Sequence, residues 1–226
     1  MATMVLMRHL CLFAAPALLA YDFSNEADYL APAEHWPAWH NTIERASQEA
    51  NDIQGCLEDK QRCERWLRSL HVVVDRSRDL SQKQQLEIVN RYVNQHRHYR
   101  RDRRNQDATS WGDKNVFSQW STLLEFLQKG GDCEDYATAK YMILRLLGYS
   151  ADALRIVVVY DRTTREYHAI VAVHDEQGST RLLDIDNRIY GRKPNAYRYV
   201  YSVNEDSIWD HSVASTLPKR RQRRIR

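Results

Sequence analysis

Cys133 is the residue around which the chemistry of this sequence is organised. It follows Gly130, Gly131 and Asp132 and opens a run in which Tyr136, Lys140, Ile143, Leu144 and Leu147 recur at helical spacing before Gly148. The glycines stop the preceding element, Asp132 is a good N-cap, and Cys133 takes the first helical position. A cysteine acts as its thiolate, which the unpaired N–H groups and the dipole at a helix N-terminus favour. Alone, such a cysteine reads as a small buried packing residue. Its company changes that reading. His168 lies in a strand-like segment, two positions from Ile170 along one face, where a strand packed on the cysteine helix can present an imidazole as general base. His96, His98 and His174 read more simply as surface or core histidines. The next strand ends in Leu183-Asp184-Ile185-Asp186-Asn187, where a carboxylate can orient the imidazole and stabilise the imidazolium. Alternation along a strand puts Asp184 and Asp186 on one face, so periodicity does not choose between them.

The elements that must position these groups follow from periodicity. Over residues 33–97 the spacing is helical: Trp39, Ile43 and Ala46, then Leu67, Leu70 and Val73, then Leu86, Val89, Tyr92 and Val93, which predicts about three packed helices. Ser81 is a plausible N-cap for the last of them. A further helix is expected over 117–127. After Gly148 the period changes to two, and 154–160, 167–174 and 181–186 read as three strands joined by polar turns, hence antiparallel neighbours. Tyr197, Tyr199 and Tyr201 alternate as a further strand would, and a core strand is favoured there over a partner surface. The fold class is therefore α+β: N-terminal helices, a cysteine-bearing helix, then an antiparallel meander.

With 226 residues, 43% of them hydrophobic, the chain can bury one sizeable core, and a formal net charge of +3 with interspersed signs leaves no broad nucleic-acid footprint. Arg8 precedes an apolar run over 10–20 with small residues at Ala15, Ala17 and Ala20. The run is short for a bilayer span and reads as an export signal cleaved near Ala20 or Ala17, with an uncleaved anchor or a buried helix as alternatives. The expected division is a signal peptide over 1–20, an N-terminal helical part over 21–110, a catalytic core over 111–210 and a basic tail over 211–226. Residues 219–226 read as disordered, with contact to anionic lipid or an acidic partner as the alternative. Removing the leader takes Cys11 with it and leaves Cys56, Cys63 and Cys133. In an oxidising compartment, pairing Cys56 with Cys63 leaves Cys133 free. Seven residues of unbroken helix would forbid that bond, and Gly55 or the charged stretch 58–62 would have to interrupt it.

The segment over 120–136, with its Gly131-Asp132-Cys133-Glu134-Asp135 core, the His168-Ala169 pair in a strand and the later Leu183-Asp184-Ile185-Asp186-Asn187, resembles the bacterial transglutaminase-like cysteine proteinases over roughly 111–190. The resemblance implies a papain/transglutaminase-like core. It makes Cys133 the nucleophile, His168 the base and Asp186, which precedes Asn187 as in the family's Asp-Asn pair, the orienting acid; Asp184 keeps that last assignment open. It also implies a calcium ion beside the nucleophile, with Asp132, Glu134 and Asp135 as candidate ligands, since oxygen donors suit a hard cation. Without the resemblance these acids read as a cap and as first-turn carboxylates complementing the dipole. They would then raise the thiol pKa unless something neutralised them, which a bound calcium would do.

Members of this kind are periplasmic endopeptidases that cut a large surface adhesin near its N-terminus, at a pair of alanines, under the control of an inner-membrane receptor responding to cyclic di-GMP. Two other functions compete with this one. The same three groups perform acyl transfer to an amine, as in a transglutaminase or amidase, when water is kept from the thioester. A catalytically dead module could keep the fold to hold a partner, although an intact cysteine, histidine and aspartate argue against it.

Overall fold

The computed structural model describes residues 20–24, 26–96, 99–100, 120–175 and 177–212. The leader expected over 1–20 (apart from Ala20), residues 117–119 and the tail beyond Ser212 lie outside these residues; the helix expected over 117–127 instead starts at Leu123, where Thr122 caps it, and runs to Lys129. The strand β1 (Tyr29–Pro32), between two short 3-10 turns, precedes the helices, after which α1 (Pro37–Glu58), α2 (Arg68–Ser77) and α3 (Gln82–His96) follow as the spacing predicts. Ser81 stands just before α3, its carbonyl taking the Gln85 N–H and its hydroxyl donating to the Gln84 side chain. Then come α4 (Leu123–Lys129) and α5 (Cys133–Leu146). The strands are β2 (Leu154–Asp161), β3 (Glu166–His174), β4 (Thr180–Leu183), β5 (Ile189–Tyr190), β6 (Tyr197–Val203) and β7 (Ser207–Asp210).

Among the described residues the strands form one antiparallel sheet in the order β1-β7-β6-β2-β3-β4-β5. The expected meander is β2-β3-β4. The tyrosine-rich segment is indeed a strand, β6, but it returns to the free edge of β2 rather than extending the meander. β1 and β7 carried no periodic signal and complete that side.

The helices cover one face of the sheet. Ile156, Val158, Ala169, Val171, Val173 and Leu183 point into a core shared with α1–α5. Trp120 sits at its centre, fully buried, with its ring edge-on to Trp36 and Trp39, both at 5.4 Å between centroids. It is a core anchor. The opposite face carries Val157, Val159, Ile170, Ala172 and Leu182, covered by Ala20 and Tyr21 with Phe23 against them. The Tyr21 N–H donates to Thr180 Oγ1 at 3.0 Å, and the Tyr21 hydroxyl joins Ser202, His211 and Arg155. Both faces are thus dry, which is why β2 is apolar almost continuously rather than alternating. His211 belongs to this packed body, its Nδ1 2.7 Å from Asp28.

Cys56 and Cys63 are joined in a disulfide, and Cys133 is a free, buried cysteine. α1 runs through Gly55 and ends at Glu58; the break comes at Asp59, whose carboxylate accepts the Gln61 N–H and turns the chain back. Replacing both residues by serine is expected to cost about 2–3 kcal/mol, the closure entropy of so short a loop. Urea unfolding would read this as a lower midpoint, with the reactivity of Cys133 preserved.

Candidate active site

The start of α5 is built by close packing of glycine against carboxylate. Gly130, at φ 72°, ends α4 in the left-handed region that glycine adopts without strain. A Cβ on Gly131 would fall 1.8 Å from an Asp135 carboxylate oxygen, so no larger residue fits there. Asp135 uses that space to accept the Ser121 N–H at 2.7 Å and the Asp132 N–H at 3.1 Å, the return half of a capping box. These bonds hold the chain entering the helix, and with it the direction of the Cys133 side chain.

Cys133 and the acids beside it are all buried. The Cys133 thiol donates to Glu134 Oε2 at 3.2 Å. Ligand atoms of Asp132, Cys133 and Glu134 lie within 4.8 Å of one another. Burial pushes the Cys133 thiol well above its ordinary range, and the charges of Glu134 and Asp132 push it further. Glu134 is itself raised well above the carboxylate range, by burial and by its hydrogen bond to Asp132, and burial lifts Asp135 to about 6. Burial first, and the neighbouring carboxylates second, hold the thiol in its protonated form. An oxygen-preferring cation fits this donor set, with Asp132 and Glu134 offering carboxylates at the thiol. Asp135, grouped with them on sequence, accepts one N–H at each oxygen in shaping the helix entry.

The sheet brings the other two groups. The ladder between β4 and β3 covers Val171 to His174 only. Before Val171, β3 runs past the end of β4, and there the N-terminus of α5 approaches, with the Ala169 N–H donating to the Cys133 sulfur. That bond lowers the thiol pKa, opposing the carboxylates. Ala169 is the residue after His168, and His168 Nε2 lies 2.6 Å from Asp184 Oδ1.

The carboxylate on His168 therefore comes from Asp184, which corrects the expectation for Asp186. Asp186 caps the turn instead, accepting the Arg188 N–H at 2.9 Å and the Tyr190 hydroxyl at 2.6 Å, and is partly exposed. The physical reason is the end of β4 at Leu183. Residues 184–188 form the turn into β5, with Asn187 at φ 65°, a conformation asparagine tolerates better than most residues. In a turn the alternation that put both aspartates on one face no longer applies. Asp184 also accepts the Tyr197 hydroxyl at 2.7 Å on Oδ2 and the Ile185 N–H at 2.6 Å on Oδ1. Burial alone would raise its pKa, but these donors and the imidazole hold it below the ordinary aspartate range. The Tyr197 ring lies tilted against the His168 ring, 6.1 Å between centroids. Tyr197 was legible only as the start of an alternating tyrosine run, with nothing to connect it to the acid.

A thiol at a helix start, beside a strand whose histidine is held by an ionised, triply bonded aspartate, has the parts of a nucleophile and its base. The family model of the bacterial transglutaminase-like cysteine proteinases matches residues 42–214. The chain belongs to that family. Calcium-bound LapG of Legionella pneumophila, a solved structure, is similar at 25% identity with a TM-score of 0.55, over 75% of this chain and 86% of that one. The EGTA-treated form of the same protein is similar at 26% identity with a TM-score of 0.55, over 77% and 88%. Among curated proteins none matches. This transglutaminase-like proteinase thus has the LapG fold, helices followed by an antiparallel sheet.

The two aspartates separate experimentally. Asp184→Ala is expected to slow iodoacetamide alkylation of Cys133 at neutral pH by roughly 100-fold, the lower end of what a positioned general base contributes. Asp186→Ala, at a partly exposed turn, is expected to leave it within about threefold. The reverse order would return the orienting role to Asp186.

Proposed function

We propose that this chain is a calcium-dependent cysteine endopeptidase of the LapG type, with Cys133 as nucleophile, His168 as base and Asp184 as the acid that orients it. The observation that carries the reading is the 2.6 Å bond between His168 and Asp184 beside the strand residue that bonds the Cys133 sulfur. His168 takes the thiol proton, and the sulfur attacks the peptide carbonyl carbon to give a tetrahedral oxyanion. An N–H at the start of α5 would stabilise that charge. The imidazolium then donates its proton to the leaving amine, the C–N bond breaks, and a thioester on Cys133 remains. His168 next takes a proton from water, whose oxygen attacks the thioester and releases the acid and the thiol. Asp184 keeps its charge throughout and stabilises the imidazolium in each half. Asp132 and Glu134 would hold the calcium ion, which supplies positive charge that offsets the carboxylates and lets the thiol ionise.

The substrate we propose is the N-terminal region of a large surface adhesin, cut at a di-alanine site in the periplasm, releasing the adhesin and promoting biofilm dispersal. Control would come from an inner-membrane receptor of the LapD type that responds to cyclic di-GMP. Family membership and the likeness to LapG support this part.

Two measurements test it. Cleavage of co-occurring adhesin N-terminal domains is expected from wild type with calcium, and neither from Cys133→Ala nor after chelation; no cleavage of any such domain by folded protein with calcium would overturn the substrate assignment. Independently, calcium is expected to raise the rate of Cys133 alkylation at pH 7 by about tenfold or more, because a thiol pKa pushed up by carboxylates falls when they are neutralised. In chelator the same rate should appear only at higher pH. An alkylation profile indifferent to calcium would remove the metal from the reading.

A further inference from the structure

Lys140 is a buried titratable group for which the proposed chemistry has so far no use. It lies on α5, the helix that Cys133 begins, and is 1% exposed. A lysine at such a depth is rare unless something pairs with it. Its Nζ donates to the main-chain carbonyl of Asp184 at 2.9 Å. The charges that act on it are the carboxylates of Asp184 and Asp186, both from the turn between β4 and β5. Burial lowers the ammonium and those two carboxylates partly offset it, which leaves it at about 7.

The consequence is geometric. Asp184 sits just past the end of β4, its N–H bonded to the Arg188 carbonyl at 3.4 Å and its carboxylate to side chains of β3 and β6. Its main-chain carbonyl is held by helices. Asn94 of α3 donates to the same carbonyl at 2.8 Å and to Asn187 Oδ1 at 3.0 Å, while Asn90 reaches the Arg188 carbonyl at 3.4 Å. Of these helical donors only Lys140 shares its helix with the nucleophile, and a helix is a stiff spacer with a fixed rise per residue.

We propose that Lys140 is a positioning residue: by holding the Asp184 carbonyl from the nucleophile's own helix, it sets the acid, and through the acid His168, at a fixed place relative to Cys133. The proposal rests on the assignment of Cys133, His168 and Asp184 to one reaction. It accounts for a buried amine where an apolar side chain would pack as well, since an ammonium taken out of water carries a desolvation cost that an apolar residue of similar size does not. A lysine kept for the fold and one kept for positioning therefore part ways when the amine is removed. The Asp184 carbonyl is not orphaned by that removal, because Asn94 still donates to it.

The test is Lys140→Met in the full chain with calcium, compared with Lys140→Gln, which retains a shorter donor. The expected result is a thermal midpoint equal to or above wild type, with kcat for adhesin cleavage down about 10- to 100-fold, the cost of misplacing a reacting group by a fraction of an ångström to one ångström. KM is expected to stay within about twofold, and the glutamine variant should fall between. Alkylation of Cys133 across pH is followed in parallel and needs no peptide substrate, so it reads the thiol and imidazole even if the adhesin assignment fails. Its neutral-pH rate should fall in Lys140→Met. Unchanged kcat and unchanged alkylation in a folded Lys140→Met would overturn the proposal. So would a collapse of the thermal midpoint, or a loss of activity in proportion to unfolded protein, either of which makes Lys140 a residue of the fold alone.

Discussion

The structure turns on the burial of α5 along nearly its whole length, including the end that carries charge. A helix N-terminus normally satisfies its first N–H groups in solvent or with one cap. Here that end is dry, and it gathers a thiol, the carboxyl groups of Asp132, Glu134 and Asp135, and further along the amine of Lys140. Each would be costly in isolation. The site exists because these groups are brought into contact with one another and with main-chain donors of Ser121, Asp132 and Ala169.

That arrangement crowds carboxyl groups against the thiol, and burial raises the thiol and Glu134 alike. A cation held by Asp132 and Glu134 would favour the ionised form of both. Asp135 shows how the same residue type separates by geometry. Lodged in the space left by Gly131, it shapes the chain, while Asp132 and Glu134 face the sulfur.

The other half of the site depends on strand length. β4 ends before β3 does, and the gap serves two purposes at once. It opens the edge of β3 to the start of α5, and it frees Asp184 from the pleat so that its carboxylate meets His168. The sheet's far face, sealed by Tyr21 and its partners, lets β2 and β3 be apolar on both sides and gives His168 a rigid base.

Much of this was legible in the sequence because it is local. Helix spacing announced about three helices over 33–97, where α1–α3 lie, and the two glycines, the Asp132 cap and the change of period after Gly148 placed α5, β2 and β3 within a residue or two, so that Cys133 at a helix start and His168 on a strand followed. The Cys56–Cys63 pairing followed from cysteine arithmetic once α1 was seen to break at Asp59. What the sequence could not decide was long-range. β1 and β7 are strands because they pair with each other and with β6, not because of their own pattern. Asp184 rather than Asp186 meets His168 because a turn cancels the alternation that a strand would have imposed. Tyr197 and Lys140 reach Asp184 from chain segments 13 and 44 residues away, contacts that no spacing rule contains. Periodicity reports which face a residue occupies within its own element, whereas the meeting of groups from different elements is settled only when the elements pack.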